Sequence, residues 1–309
     1  MEYKYYFTIF VPAYNRAHTL ERLFLSVEKQ TFRNFELIIV DDGSTDNTKE
    51  VLNELKNKVS FPFQYYYQEN KGKPSARNLA IKKATGKLFK TIDSDDFITE
   101  DCLEVMKYYW ESIDEQERDK FAGVIGLCAN IKNNKVIGDE FPEDIFDSNH
   151  IINNVIYKIK GDKTQCIRTD LLKVNLFPVF EGEKFIQESI VWNRIGINYK
   201  FRYVNKILMY KEYMDDGLTR NRLINSLSNK RGTRFYFKEY INVIAPNYKI
   251  PLKELVKKYA NFIRFSFHCD DGIIAQNREI KSKILHILTV PLGYVLWKND
   301  LRKIKTFKK

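Results

Sequence analysis

Long apolar runs are missing from this chain of 309 residues. The best candidate for a membrane span, Ile284 to Trp297, is 14 residues long and carries His286, Pro291 and Gly293. A transmembrane helix needs about 20 apolar residues, so none is expected. The apolar stretch Tyr5 to Tyr14 contains Pro12 and is too short for a secretory signal. The body of the protein is therefore expected in the cytoplasm. Cysteine is scarce, and Cys102, Cys128, Cys166 and Cys269 are too far apart for a zinc knuckle or a CxxC pair. They read as reduced thiols. The four histidines, His18, His150, His268 and His286, show no metal-ligand spacing. Internal repeats and low-complexity segments are also missing.

What is present is a globular composition. The chain is 44% hydrophobic and 29% charged, enough to bury a core and unlike a disordered segment. The net charge is +11. Much of it lies between Lys281 and Lys309, where eight Lys or Arg face one acid, Asp300. Such a tail suits an anionic partner. No nucleic-acid-binding motif accompanies it, and an apolar patch precedes it, so a helix lying in a membrane interface is the expectation for Ile284 to Lys309.

The first 125 residues alternate strand and helix. Phe7 to Pro12, Phe35 to Val40, Phe63 to Gln68, Leu88 to Ile92 and Phe121 to Leu127 read as strands. Helices are expected from Thr19 to Gln30, from a cap at Ser44 or Thr45 to Lys58, from Pro74 to Thr85 with Gly86 ending it, and after a Thr99 cap. This order predicts an α/β fold with a mostly parallel sheet flanked by helices. Residues 128–250 are less regular, with a helix predicted from Gln187 to Gly196. Beyond Pro251 the residues Leu252, Leu255, Val256, Tyr259, Phe262 and Ile263 mark one helical face.

Two acidic clusters fall at strand ends: Asp41-Asp42, and Asp93-Ser94-Asp95-Asp96. Ligands of parallel sheets bind outside the carboxyl ends of the strands. Carboxylates two residues apart can meet one hard cation such as Mg²⁺ or Mn²⁺, together with phosphate oxygens. A D-x-D alone is weak, because acidic loops at strand ends are common.

Four linked segments raise its meaning: VPAYNR at Val11 to Arg16, LIIVDDGSTDNT at Leu37 to Thr48, QENKGKPSARNLAI at Gln68 to Ile81, and TIDSDDF at Thr91 to Phe97. In this order and spacing they resemble the family 2 glycosyltransferases of the GT-A fold, of the bacterial surface-polysaccharide type. The resemblance is strong over residues 5–110 and weak over 160–220. It implies a GT-A domain over 1–220, with a donor half at 1–127 and an acceptor half at 128–220, and a helical region at 221–309. It implies an inverting hexosyltransferase using a UDP-sugar, with a GDP- or dTDP-sugar as the rival donor. The expected acceptor is a glycan or lipid-linked saccharide, at the inner face of the membrane.

The resemblance also assigns residues. Pro12, Ala13, Tyr14 and Arg16 line the base and ribose. Asp41 accepts from the uracil. Lys71-Gly72 and Ala76-Arg77-Asn78 close over the nucleoside and phosphates. Asp93, with Ser94, meets the ribose or a metal-bound water, and Asp95 ligates Mn²⁺ or Mg²⁺. Relatives often carry a Glu-Asp pair at a helix start; here it reads Glu188-Ser189, making Glu188 the expected base, with Glu181 and Glu183 as alternatives. A Tyr-Arg-x-His-like stretch is replaced by Tyr210 to Arg220 without histidine, leaving Asp215, Asp216 and Arg220 as further candidates. The altered pair also leaves open a catalytically impaired relative that only binds nucleotide.

Overall fold

A computed structural model describes residues 2–212 and 222–307. The chain divides into two compact units, one of Met1–Phe177 with Val191–Asp215, the other of Pro178–Ile190 with Asp216–Lys309.

The first unit runs β1 (Tyr5–Ala13), α1 (Ala17–Glu28), β2 (Phe35–Asp41), α2 (Thr48–Lys56), β3 (Phe63–Tyr67), α3 (Lys73–Lys83), β4 (Gly86–Thr91), β5 (Phe97–Ile98) and α4 (Cys102–Glu111). It continues with β6 (Phe121–Asn130), β7 (Ile145–Ser148), α5 (His150–Ile152), β8 (Lys163–Arg168) and α6 (Thr169–Val174). Helix α7 (Ser189–Gly196) precedes β9 (Lys200–Lys211). The strands form one nine-stranded sheet in the order β3-β2-β1-β4-β8-β6-β9-β5, with β7 on β9. Strands β3, β2, β1 and β4 are parallel to one another. Beyond them β8 runs antiparallel to both β4 and β6, while β6 and β9 are parallel. The parallel character expected from the βα alternation thus holds through β4, and the sheet as a whole is mixed.

Strand β2 is buried at every residue. That is the signature of a central parallel strand covered on both faces, and it explains the unbroken Leu37-Ile38-Ile39-Val40 run. Pro12 is tolerated in β1 because pairing with β4 stops at Phe10–Thr91, while β2 continues to Ala13–Asp41. Beyond Phe10 the β4 side of β1 has no ladder. Here successive strands begin to lie on opposite sides of β1, the switch point where such sheets open a crevice.

Three local expectations are corrected. Ser44 and Thr45 do not cap α2, which starts at Thr48; the Asp46 carboxylate takes the Thr48 N–H and hydroxyl at 3.1 and 2.6 Å. Gly86 does not end a helix but begins β4, its N–H donating to the Thr8 hydroxyl at 2.9 Å. The Cys102 N–H at the start of α4 meets the Thr99 carbonyl rather than its hydroxyl, at 3.1 Å.

Among the described residues, the second unit is helical: α8 (Arg222–Ser228), α9 (Lys230–Glu239), α10 (Leu252–His268), α11 (Ile273–Glu279) and α12 (Lys283–Phe307). Tyr259, Phe262 and Ile263 of α10 join Ile241 and Ile280 in its core. Leu252, expected on that face, is exposed, because it opens the helix where nothing yet covers it.

Candidate active site

The loops that follow β1 and β2 are knitted together by side chains that serve as backbone partners. Asn15 adopts a left-handed conformation (φ 53°). Its N–H donates to the Ser44 hydroxyl at 2.9 Å, and its Oδ1 accepts from the Thr45 N–H at 2.8 Å. The Arg16 N–H donates to the Thr48 hydroxyl at 3.2 Å. Pro12 is half-buried and Ala13 buried, whereas Tyr14 is exposed beside them.

Asp41, at the last position of β2, is buried. One oxygen accepts from the Ser44 N–H at 2.9 Å and the other from the Tyr65 hydroxyl at 3.1 Å. Burial and the Asp41 charge push the Tyr65 phenol above its usual range, so it stays a donor. Asp42, noted in the sequence as part of the acidic cluster but given no role there, is also buried. Its Oδ1 accepts from Gln68 Nε2 at 2.6 Å and the Lys71 N–H at 2.9 Å, and its Oδ2 from the Gly72 N–H at 2.8 Å. Asp42 therefore sets the Lys71-Gly72 turn. Gly72 precedes α3 at φ 86°, a conformation in which a Cβ would be strained.

The second cluster follows β4. Asp93 pairs with Lys73 Nζ at 2.6 Å and lies 3.7 Å from Lys211 Nζ. Lys211 also grips Asp96 at 2.7 Å. Burial opposes ionisation of Asp93, but the ammonium groups of Lys73 and Lys211 outweigh it and hold its carboxyl well below the usual range. Burial pushes Asp96 up, helped by the charges of Asp93 and Asp95 and opposed by Lys211. Ser94 is buried. The Asp95 carbonyl accepts from Arg22 Nη2 at 2.6 Å, and Arg22 stacks over Phe97 and bonds Glu212 at 2.8 Å. The Asp95 carboxylate, partly exposed, makes no hydrogen bond or ion pair with the described residues.

Helix α3 brings three more expected residues. Ala76 is fully buried. Arg77 is buried too, its guanidinium 4.8 Å from the Phe177 ring centre. Both ends of the Asn78 amide bond the Phe177 backbone, at 2.8 and 2.9 Å, so Asn78 anchors that segment.

In the second unit, Glu183 is a helix cap. Its oxygens accept from the Arg231 and Gly232 N–H groups, both at 2.7 Å, in the first turn of α9. Both of its oxygens are thus engaged by backbone donors. The Glu181 carbonyl accepts from Arg231, and its side chain is exposed. Glu188 is half-buried, immediately before α7. Asp215, Asp216 and Arg220 lie outside the described residues.

Among the described residues no three acids, histidines or cysteines gather into a metal-binding group. The donor set still fits a divalent ion. Among the described residues lysines engage Asp93 and Asp96, and the Asp95 carboxylate would be the hard oxygen donor of this cluster. Magnesium and manganese are commonly held by one or two carboxylates with phosphate oxygens completing the shell.

The sequence model of glycosyl transferase family 2 matches residues 8–167, half of the chain. The protein belongs to that family. Glycosyltransferase GlyA of Streptococcus pneumoniae is 30% identical over 181 residues, covering 58% of this chain and 25% of that protein. The poly(ribitol-phosphate) beta-N-acetylglucosaminyltransferase TarS of Staphylococcus aureus is 31% identical over 176 residues, covering 55% of this chain and 28% of TarS. WfgD of Escherichia coli, a UDP-Glc:alpha-D-GlcNAc-diphosphoundecaprenol beta-1,3-glucosyltransferase, is 33% identical over 135 residues, 43% of this chain and 50% of WfgD. The matched regions thus span a quarter to a half of these relatives. The structure of TarS residues 1–349 with UDP-GlcNAc superposes with a TM-score of 0.60 at 19% identity, covering 97% of this chain and 91% of that one. A Pyrobaculum calidifontis mannosyltransferase with GDP-Man and Mn²⁺ gives 0.55 at 16% identity, covering 95% and 74%. These likenesses establish the GT-A-type fold.

Proposed function

We propose that this glycosyltransferase moves a hexose-type sugar from a UDP-sugar to a glycan or lipid-linked saccharide, inverting the anomeric carbon. One observation carries the reading: buried carboxylates end β2, and a second acidic cluster follows β4, on either side of the open end of β1. Asp41 would meet the base, beside Tyr14 and Arg16. The turn fixed by Asp42 would bring Lys71 and Gly72 over the nucleoside. Asp93 would meet the ribose, with Lys73, Lys211 and Arg77 supplying positive charge toward the diphosphate. Asp95 would hold Mn²⁺ or Mg²⁺, which when bound acts as a Lewis acid on the departing diphosphate.

In the transfer, an acceptor oxygen attacks the anomeric carbon and the carbon–oxygen bond to the diphosphate breaks. The bonding pair leaves with UDP. Glu188 would take the acceptor proton. UDP is favoured because TarS has been solved with UDP and with UDP-GlcNAc, and because WfgD is named for a UDP-Glc donor. The GDP-Man complex of the Pyrobaculum enzyme keeps GDP as the rival. Surface-polysaccharide synthesis at the cytoplasmic face of the membrane is the setting proposed. Hydrolysis of a panel of UDP-, GDP- and dTDP-sugars with Mn²⁺ tests the donor. Turnover of at least one UDP-sugar, lost in Asp95→Asn, is expected; turnover of GDP- or dTDP-sugars alone, or of none, would refute it.

A further inference from the structure

Helix α12 has two unlike faces. One is packed against α10. Gly293 sits there because a Cβ would come within 2.5 Å of the Ile263 side chain. On the same face the Arg264 guanidinium holds Asp300 through two bonds of 2.6 Å, with His268 at 2.9 Å. His286 and Thr289 are buried as well.

The other face is bare and apolar. Ile284, Ile287, Leu288, Pro291, Leu292 and Val295 follow the i, i+3, i+4, i+7 spacing of one helical stripe, and all are exposed. The exposure of Ile284 and Leu288 reaches 76% and 69%, far beyond a grazing contact. A surface helix of a soluble protein places polar residues there. The stripe is bracketed by exposed cations: Lys281 and Lys283 before it, Lys298 and Lys305 after it. The one acid between 281 and 305, Asp300, is buried and committed to Arg264 and His268. The face therefore offers apolar and positive groups with no exposed carboxylate among them.

We propose that this face of α12 docks on an anionic bilayer surface. The apolar stripe enters the boundary between headgroups and acyl chains, and the lysines meet lipid phosphates and other anionic headgroups. The stripe of 12 residues is about 18 Å long at 1.5 Å per residue, well short of a hydrocarbon core of about 30 Å, so it lies on the bilayer. No described helix is long and apolar enough to cross one. This inference is independent of the donor reading and would stand if that reading failed.

The test is flotation of the full chain with vesicles of phosphatidylcholine alone or with added phosphatidylglycerol. Binding to the anionic vesicles should be tighter by about tenfold or more, and should weaken as salt is raised. Ile284→Glu with Leu288→Glu should lower that binding by about tenfold or more while leaving the thermal melt unchanged, since both side chains are exposed. Lys281→Gln with Lys283→Gln and Lys298→Gln should remove only the preference for anionic lipid. Absence of flotation with anionic vesicles, or undiminished binding by the double glutamate variant, would overturn the proposal. So would a concentration-dependent dimer in light scattering that the same variant dissolves, which would assign the stripe to a second copy of the chain.

Discussion

Strand β2 carries carboxylates at both ends, and they are used in opposite ways. At the amino end, Glu36 is fully buried and saturated by the protein. It accepts from the Thr8 hydroxyl at 2.6 Å, the Thr85 N–H at 2.7 Å and Gln64 Nε2 at 2.8 Å. These bonds tie β1, β2, β3 and the entry to β4 into one end of the sheet. At the carboxyl end, Asp41 and Asp42 hold loops through backbone N–H groups, and across β1 the Asp95 carboxylate is left without a partner among the described residues. An ion closed on its neighbours stabilises a fold, because a buried charge must be paired. A carboxylate left open is available to a ligand. The same residue chemistry therefore divides into scaffold and site by how completely the chain itself satisfies it.

Substitutions can break or sharpen this contrast. The largest effect is expected for Glu188→Gln, which should slow transfer by about 10²- to 10⁴-fold, the usual reach of general base catalysis, while UDP binding is retained. Near-normal turnover with the true acceptor would remove Glu188 from the reaction. Asp95→Asn should lower metal-dependent turnover by about 10²- to 10³-fold without moving the thermal midpoint of the ligand-free protein. A large drop in that midpoint would mean the carboxylate belongs to the scaffold. Glu36→Ala should do the reverse. It strands several donors at once and should cost about 3 kcal/mol or more in urea unfolding, while the molecules that remain folded still bind UDP. Asp42→Asn should fall between, because one oxygen that accepts N–H groups becomes an amide. Raising KM for the donor by about tenfold, with kcat changed less, is the expected split; equal loss in both would mean the turn acts on the chemical step.

The sequence made the parallel half of the sheet legible because its signals are local. A run such as Leu37 to Val40 declares a buried strand, and the acids that follow declare its end. Four motifs in fixed order then identified the family and, with it, the fold. What stayed hidden depends on partners distant in the chain. Lys211 reaches Asp96 across 115 positions, and its strand β9 mixes polar with apolar residues because one stretch is buried and the next is not. Lys73 carried no assignment in the sequence, because its pairing with Asp93 exists only once α3 and the end of β4 are brought together. Asp42 was legible as an acid, but its service to the Lys71-Gly72 turn depends on a loop 29 residues away. Glu183 was read as a candidate base from its neighbourhood in the chain; only the start of α9, folded back onto it, reveals a cap.

The most direct measurement is the thermal stability of the full chain with UDP, GDP or dTDP, each with and without Mn²⁺. A ligand that binds the native state raises its apparent stability, so the shift reports the site without knowledge of the acceptor. UDP with Mn²⁺ should raise the midpoint most, and Asp95→Asn should abolish the increment due to Mn²⁺ alone. A larger shift from GDP or dTDP, or an undiminished Mn²⁺ increment in Asp95→Asn, would contradict the account.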